Sequence, residues 1–348
     1  MSGVDEMRIP TRLADGALIE MTRSELRAEI EDGTQAAAKR AKVPPLSEDE
    51  LGHLLEIFAS PAAFVAVEQG DQLVLSCDGT GSQIASSRLE DLREWEATLG
   101  SDLVELYHVD YSFKAIKTIR HVEQQAMRSV QLMLTVPVQY GAMPNLGLYC
   151  RPDGPVPNWS ELLPLTKIDE ARAAQEEAIE HAVKDMVQVA DAMWEAGADG
   201  IDFDTAGAAG DADLLATLLA VEKIRAKYPD MGIEVGMAGE FVLGMHGELE
   251  YDGVRLAGLW PREQMQLVRR AGATIFGPAV NVNTRKSGAW NIARALTLVK
   301  PCMDVAEIPV HMNVGMGVGG VPMSSYLPLD AVSRASRACV DILRLDGL

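Results

Sequence analysis

Six short apolar runs punctuate this chain, and helical stretches fall between several of them. The runs are Leu103 to Val109, Gln131 to Val138, Gly200 to Asp204, Ile233 to Met237, Thr274 to Gly277 and Val310 to Val314. Asp169 to Glu195 and Asp213 to Lys227 carry helical spacing between two pairs of them. Near-continuous apolar strands separated by helices belong to a parallel sheet covered on its faces. Polar residues gather at the ends of the runs while their starts are bland, as in a barrel whose chemistry sits at the C-terminal face. The expected fold is therefore an α/β (β/α)8 TIM-type barrel, with a doubly wound sheet as the alternative that periodicity does not separate.

The two ends of the chain add to this expectation. Thr22 to Gly33 and Ser47 to Phe58 read as capped helices, so residues 1–60 form an expected N-terminal helical extension ahead of a barrel over 61–348. Ala62 to Cys77 alternates like a short hairpin. At the other end, an amphipathic helix over Leu329 to Arg344 runs into Leu345-Asp346-Gly347-Leu348. The same junction occurs where WEAGADG enters the strand Ile201-Asp202-Phe203-Asp204. By that comparison Asp346-Gly347-Leu348 begins a seventh strand, and the barrel is expected to lack its last strands; a frayed tail is the alternative.

Charge and cysteine usage exclude several classes. The net charge of −20 opposes binding to nucleic acid or an anionic membrane. Plain solubility accounts for it first, then a salty cytoplasm or a cationic substrate. Cys77, Cys150, Cys302 and Cys339 lie far apart with no CxxC pair, which suits reduced thiols in a cytoplasm. The N-terminus has no basic-then-apolar signal pattern, and no run of about 18 apolar residues is present.

The strand ends form a polar ring. It comprises His108 and Asp110, Tyr140 to Asn145, Asp202, Asp204 and Thr205, then Ala238-Gly239-Glu240 and Gly244 to Glu248, and finally Asn281, Asn283, His311 and Asn313. The loop Gly207-Ala208-Ala209-Gly210-Asp211 is glycine-rich but flanked by Asp204, Asp211 and Asp213 with no basic residue. It should favour a cation over a phosphate, or simply be a turn with capping aspartates. Gly315 to Gly320 is only a loose GxGxxG and lacks the acidic partner of a dinucleotide site. His108, Asp110 and His311 do not have the spacing of a metal cluster, and no metal is expected. Glu240, in the small-residue segment GMAGEFVLGMHG, is the carboxylate placed to shuttle protons.

Longer phrases narrow the reading. HVDYSFK (108–114), YGAMPNLGLY (140–149), GADGIDFDTAGAAGDAD (197–213), GMAGEFVLGMHGELEYDGV (236–254), LAGLWP (256–261) and VGMGVGGVPM (314–323) occur in collinear order. Together they closely resemble the dimethylamine:corrinoid methyltransferases of methylotrophic methanogens and related bacteria, over Arg27 to Leu348. The resemblance implies methyl transfer from dimethylamine to the Co(I) corrinoid of a cognate corrinoid protein, the first step of methanogenesis or methylotrophy from this amine. It implies no cofactor bound directly, since the corrinoid is carried by the partner. A homo-oligomer in the cytoplasm is also implied.

Members of that family carry pyrrolysine, encoded by an in-frame amber codon, after a helix and an Asp-Gly-aliphatic segment like Asp346-Gly347-Leu348. The expectation is that pyrrolysine and further barrel sequence lie just beyond Leu348, and that the 348-residue chain alone is inactive. Its imine is an electrophile that would add the amine. The family chemistry assigns Glu240 to proton transfer and Asp204 to cation binding, with His108, Tyr140 and Asn313 as hydrogen-bonding neighbours of the substrate. Family members tend to have an amide where this chain has Asp202, so Asp202 is not assigned a role. Two alternatives are a non-catalytic remnant that still docks the corrinoid protein, and a zinc-dependent corrinoid-to-thiol enzyme; the latter would need a thiolate–histidine cluster that the sequence does not show.

Overall fold

The computed structural model describes residues 7–61, 65, 139–142, 144–244, 247–323 and 327–348. Internal packing divides the chain into two compact units: Met1–Tyr107 together with Ala279–Leu348, and His108–Pro278. The expected strand over Leu103 to Val109, the hairpin over Ala62 to Cys77 and the run Gln131 to Val138 lie outside the described residues.

The first unit opens with a hairpin of β1 (Ile9–Arg12) and β2 (Leu18–Met21), paired antiparallel with Ile9 opposite Met21. Two helices follow, α1 (Arg23–Ala41) and α2 (Glu48–Ala59). Each starts where the sequence expects it, because Thr22 with Glu25 and Ser47 with Glu50 close reciprocal capping boxes that satisfy first-turn N–H groups. Lys42 ends α1 in the left-handed region, at φ 56°.

The second unit is built on a sheet of β3 (Gln139–Ala142), β4 (Gly200–Ala206), β5 (Gly232–Met237) and β8 (Ile275–Gly277). All pairings are parallel, and the strands neighbour one another in sequence order. Between β3 and β4 come the one-turn helix α3 (Trp159–Leu162) and the long α4 (Ile168–Glu195). α5 (Asp211–Lys227) joins β4 to β5. A small hairpin of β6 (Glu250–Tyr251) and β7 (Val254–Arg255), then α6 (Pro261–Ala271), lead to β8. Ile201 and Phe203 of β4, Ile233 and Val235 of β5, and Phe276 of β8 have no exposed surface. Burying each such side chain is worth about 1.5–3 kcal/mol. Gly200 is required at the start of β4, since a Cβ there would stand 2.7 Å from the carbonyl oxygen of Gly232.

The first unit resumes with α7 (Gly288–Met303) and α8 (Leu329–Ala338), the latter passing into a π-helical turn at Cys339–Leu343. α1 lies along α7: Gly33 meets the backbone of Trp290, and the buried Thr34 and Thr297 hydroxyls are 2.7 Å apart. The N-terminal helices thus share a core with α7. Beyond the π-turn, Gly347 pairs in parallel with His311. The Met312 N–H donates to Gly347 O at 3.1 Å, and Gly347 N–H to Val310 O at 3.2 Å. Asp346 Oδ2 accepts from Val310 N–H at 2.9 Å, and Leu345 and Leu348 are buried. Residues 346–348 are thus held against the backbone at 310–312 through an isolated bridge, and the expected strand over Val310 to Val314 is present only as that bridge. The described strands form a parallel α/β sheet and do not close into a barrel.

Candidate active site

β4 separates its two kinds of side chain by simple alternation. Ile201 and Phe203 take the fully buried face, whereas Asp202 and Asp204 share the opposite face and are half-buried. In register with Asp202 on β5 stands Glu234, only 7% exposed. Residues in register on parallel strands face the same side, so Asp202, Asp204 and Glu234 line one face of the sheet. Gly236, on the same face of β5, leaves room among them: a Cβ there would lie 3.7 Å from Oδ1 of both Asp202 and Asp204. This face of the sheet is acidic.

The strand end is reshaped just past Asp204. Thr205 has φ 59°, and the pairing with β5 shifts register between Phe203 and Ala206. A β-branched residue in the left-handed region is uncommon and costs about 1–3 kcal/mol. Such irregularities re-aim side chains at strand ends next to sites. Gly207 at φ 78° and Gly210 at φ 105° then turn the chain into α5.

Two buried aspartates follow. Asp211 is fully buried; its Oδ1 accepts from Ala212 N–H at 3.1 Å and its Oδ2 from Gly247 N–H at 2.8 Å. Asp213 is fully buried too, and no donor meets either oxygen in full hydrogen-bond geometry. Burial pushes its carboxyl up to about 7, against the pull of the nearby N–H groups of Ala209, Gly207, Ala208 and Leu146.

Glu240 lies in the turn after β5 and is 7% exposed. The buried Gln264 of α6 braces that turn, its Nε2 donating to Leu259 O at 3.0 Å and lying 3.5 Å from Gly239 O. Phe241 and Trp260 pack across the base of the same loop, ring centres 5.5 Å apart.

Asp204 and Glu240 thus sit at the C-terminal ends of neighbouring strands within one unit. The backbone of Tyr140, on β3, pairs with that of Ile201 on β4. Asn313 belongs to the other unit, exposed in the segment that follows His311. His108 lies outside the described residues. Glu234 escaped the sequence reading although it had a signal, a lone acid inside the apolar run GIEVGM. Asp213 reads in the sequence as a cation-favouring flank of the glycine loop or a capping aspartate, and not as the buried acid it is. Among the described residues no group of three His, Cys, Asp or Glu gathers closely enough to hold a metal ion.

A family model described as dimethylamine methyltransferase (Dimeth_PyL) matches residues 7–348. The chain belongs to the dimethylamine methyltransferase family. A dimethylamine methyltransferase must hold a small secondary amine, which is a cation at neutral pH. Among the described residues of this dimethylamine methyltransferase, no helix is long and apolar enough to cross a membrane.

Proposed function

We propose that this chain binds dimethylammonium at the C-terminal end of the β4–β5 face and passes one methyl group to the Co(I) corrinoid of a cognate partner protein. The observation that carries this is the acidic face itself: Asp204 at a strand end, Asp202 and Glu234 beside it, and Gly236 leaving space, in a member of this family. Asp204 holds the ammonium group; the Coulombic attraction strengthens as water is excluded. Dimethylammonium gives up one proton to add to an electrophile, and after the methyl leaves, the nitrogen, which keeps the electron pair of the broken C–N bond, takes that proton back to depart as methylamine. Glu240, nearly buried in the next strand's turn, is the group that moves that proton. The resemblance assigns Tyr140, His108 and Asn313 to hydrogen bonds with the substrate.

The resemblance assigns activation of the amine to a pyrrolysine electrophile. The complete fold on this reading is a (β/α)8 barrel. Its support is the strand order: four parallel strands succeed one another without the reversal that marks a doubly wound sheet. The protein acts in the cytoplasm as a homo-oligomer.

The test is Co–methyl formation from dimethylamine by the complete gene product with its corrinoid protein. Asp204→Asn should raise KM, and Glu240→Gln should lower kcat by about 100-fold or more. Absence of transfer by a pyrrolysine-containing product, or undiminished transfer by both variants, would overturn the assignment. The nucleotide sequence across codon 349 checks the pyrrolysine expectation directly.

A further inference from the structure

The glycine run Gly315-Met316-Gly317-Val318-Gly319-Gly320, too loose a match for a dinucleotide site, is held from two sides within the first unit. On one side lies the segment that leads into α7. Gly319 N–H donates to Val280 O at 3.0 Å and Val282 N–H to Gly317 O at 2.9 Å, so residues 280–282 and 317–319 run antiparallel about the bridge of Asn281 with Val318. On the other side is the end of the run Val310 to Val314. A Cβ on Gly319 would stand 2.8 Å from the Asn313 carbonyl oxygen and 3.0 Å from Val314 Cα. One on Gly320 would stand 3.0 Å from both the backbone nitrogen and the Cα of Ile292 in α7. At φ 65° and 88° these two glycines also take a backbone conformation that side chains disfavour. The run is a spacer, thin enough to seat against both Asn313 and the start of α7.

α7 in turn holds the segment that pairs with the run. Asn291, 2% exposed, donates from Nδ2 to Asn283 O at 3.1 Å and to Ser287 O at 2.9 Å, and its Oδ1 accepts from Asn283 N–H at 2.7 Å. These bonds close the turn into the helix, and a neutral amide is enough for that. Arg294, one turn further along α7, reaches past this turn. It is 8% exposed, and its Nη1 donates to Asn281 O at 2.7 Å. Burying a guanidinium is costly, but a charged donor makes a hydrogen bond about twice as strong as a neutral one. The charge-assisted tie thus falls on Asn281, the residue bridged to the glycine run.

We propose that Arg294 and Gly319 are positioning residues for Asn313: Arg294 fixes residues 280–282, these carry the glycine run, and Gly319 seats the run against the Asn313 backbone. The proposal rests on the reading above in which Asn313 hydrogen-bonds the substrate. The loss of either residue then acts through Asn313.

The experiment measures methyl transfer from dimethylamine by the complete gene product with its corrinoid protein, in Asn313→Ala, Arg294→Met, Arg294→Lys and Gly319→Ala. Asn313→Ala should raise KM for dimethylamine about tenfold, with kcat changing less than about threefold. Arg294→Met and Gly319→Ala should show the same pattern, and Arg294→Lys, which keeps a charged donor, should restore most of the loss. Adding Arg294→Met to Asn313→Ala should raise KM no further, because both act on one contact. A purely structural role would add its own loss in that background, so additivity overturns the proposal. In Arg294→Met, amide exchange at Val282 and Gly319 should also speed by about tenfold or more while the amides of α1 stay protected; unchanged exchange overturns the proposal. Should α1 lose protection too, that variant is unfolded, and Gly319→Ala paired with Asn313→Ala decides by the same cycle. If Asn313→Ala leaves KM unchanged, the reading of Asn313 fails and the proposal with it. If it raises KM while Arg294→Met and Gly319→Ala do not, that reading stands and the proposal alone falls.

Discussion

Asp213 carries an energetic cost that can be read as a dependence of stability on pH. Its carboxyl titrates near 7 in the folded chain instead of near 3.8, chiefly because burial disfavours the charged form. Between about pH 4 and pH 7 the folded state holds a proton that the unfolded state has released, so stability falls as pH rises through that window. Above about 7 both states are ionised and the penalty is constant. Asp213→Asn removes the titration. Its melting temperature should match the parent near pH 4 and exceed it by an increasing margin up to about pH 7, equivalent to a few kcal/mol. Denaturation of both forms across pH 4 to 8 checks this; parallel curves would show that Asp213 is not the buried acid described here. A gain in stability paired with a loss of activity would place Asp213 among residues kept for function at a structural cost. The sequence shows an Asp after a glycine turn, and an exposed capping residue is the ordinary outcome. Only tertiary packing, which closes α5 over the loop, converts it to a buried acid.

At the scale of elements, local rules accounted for most of what forms. The capping boxes at Thr22 and Ser47 start α1 and α2, and the apolar runs at Gly200, Ile233 and Thr274 become β4, β5 and β8 to within one or two residues at most boundaries. The alternation of Ile201 and Phe203 with Asp202 and Asp204 is legible too, since a two-residue period assigns faces without knowledge of neighbours. What pairs with what is not legible. Gly33 in mid-helix reads as a defect, yet a Cβ there would stand 2.4 Å from the Trp290 carbonyl oxygen of α7. Gly33→Ala gains about 1 kcal/mol of helix propensity and loses about 1–3 kcal/mol to overpacking, for a net destabilisation of up to about 2 kcal/mol. Denaturant titration measures it, and a stabilised variant would mean that α1 and α7 can separate freely. The π-turn at Cys339–Leu343 was also hidden, because the helical spacing of Leu329 to Arg344 continues across it without a break.

For the molecule as a whole, the strongest bulk property is charge. A chain at −20 repels itself, and salt screens that repulsion within about 8–10 Å at 0.1–0.15 M. The melting temperature should therefore rise between about 10 mM and 1 M KCl. If it falls or stays level, the acidic groups are already compensated within the fold. Charge on this scale also bears on the site, since the cationic amine is drawn toward an acidic protein in which Asp202, Asp204 and Glu234 share one face. Weaker amine binding at high salt, with stability unimpaired, would separate the two effects.

The sequence by itself determined the α/β character, the starts of the helices, the split of β4 into an apolar and an acidic face, and the family. Each of these depends on residues close in the chain or on long collinear phrases. The tertiary structure decided what local patterns do not encode: that Glu234 comes into register with Asp202, that Gly236 lies beside two carboxylates, and that Gly347 bridges to His311. It also decided that Asp211 and Asp213 are fully buried. Register and burial are set by segments distant in sequence, and a side chain's electrostatic state follows from them.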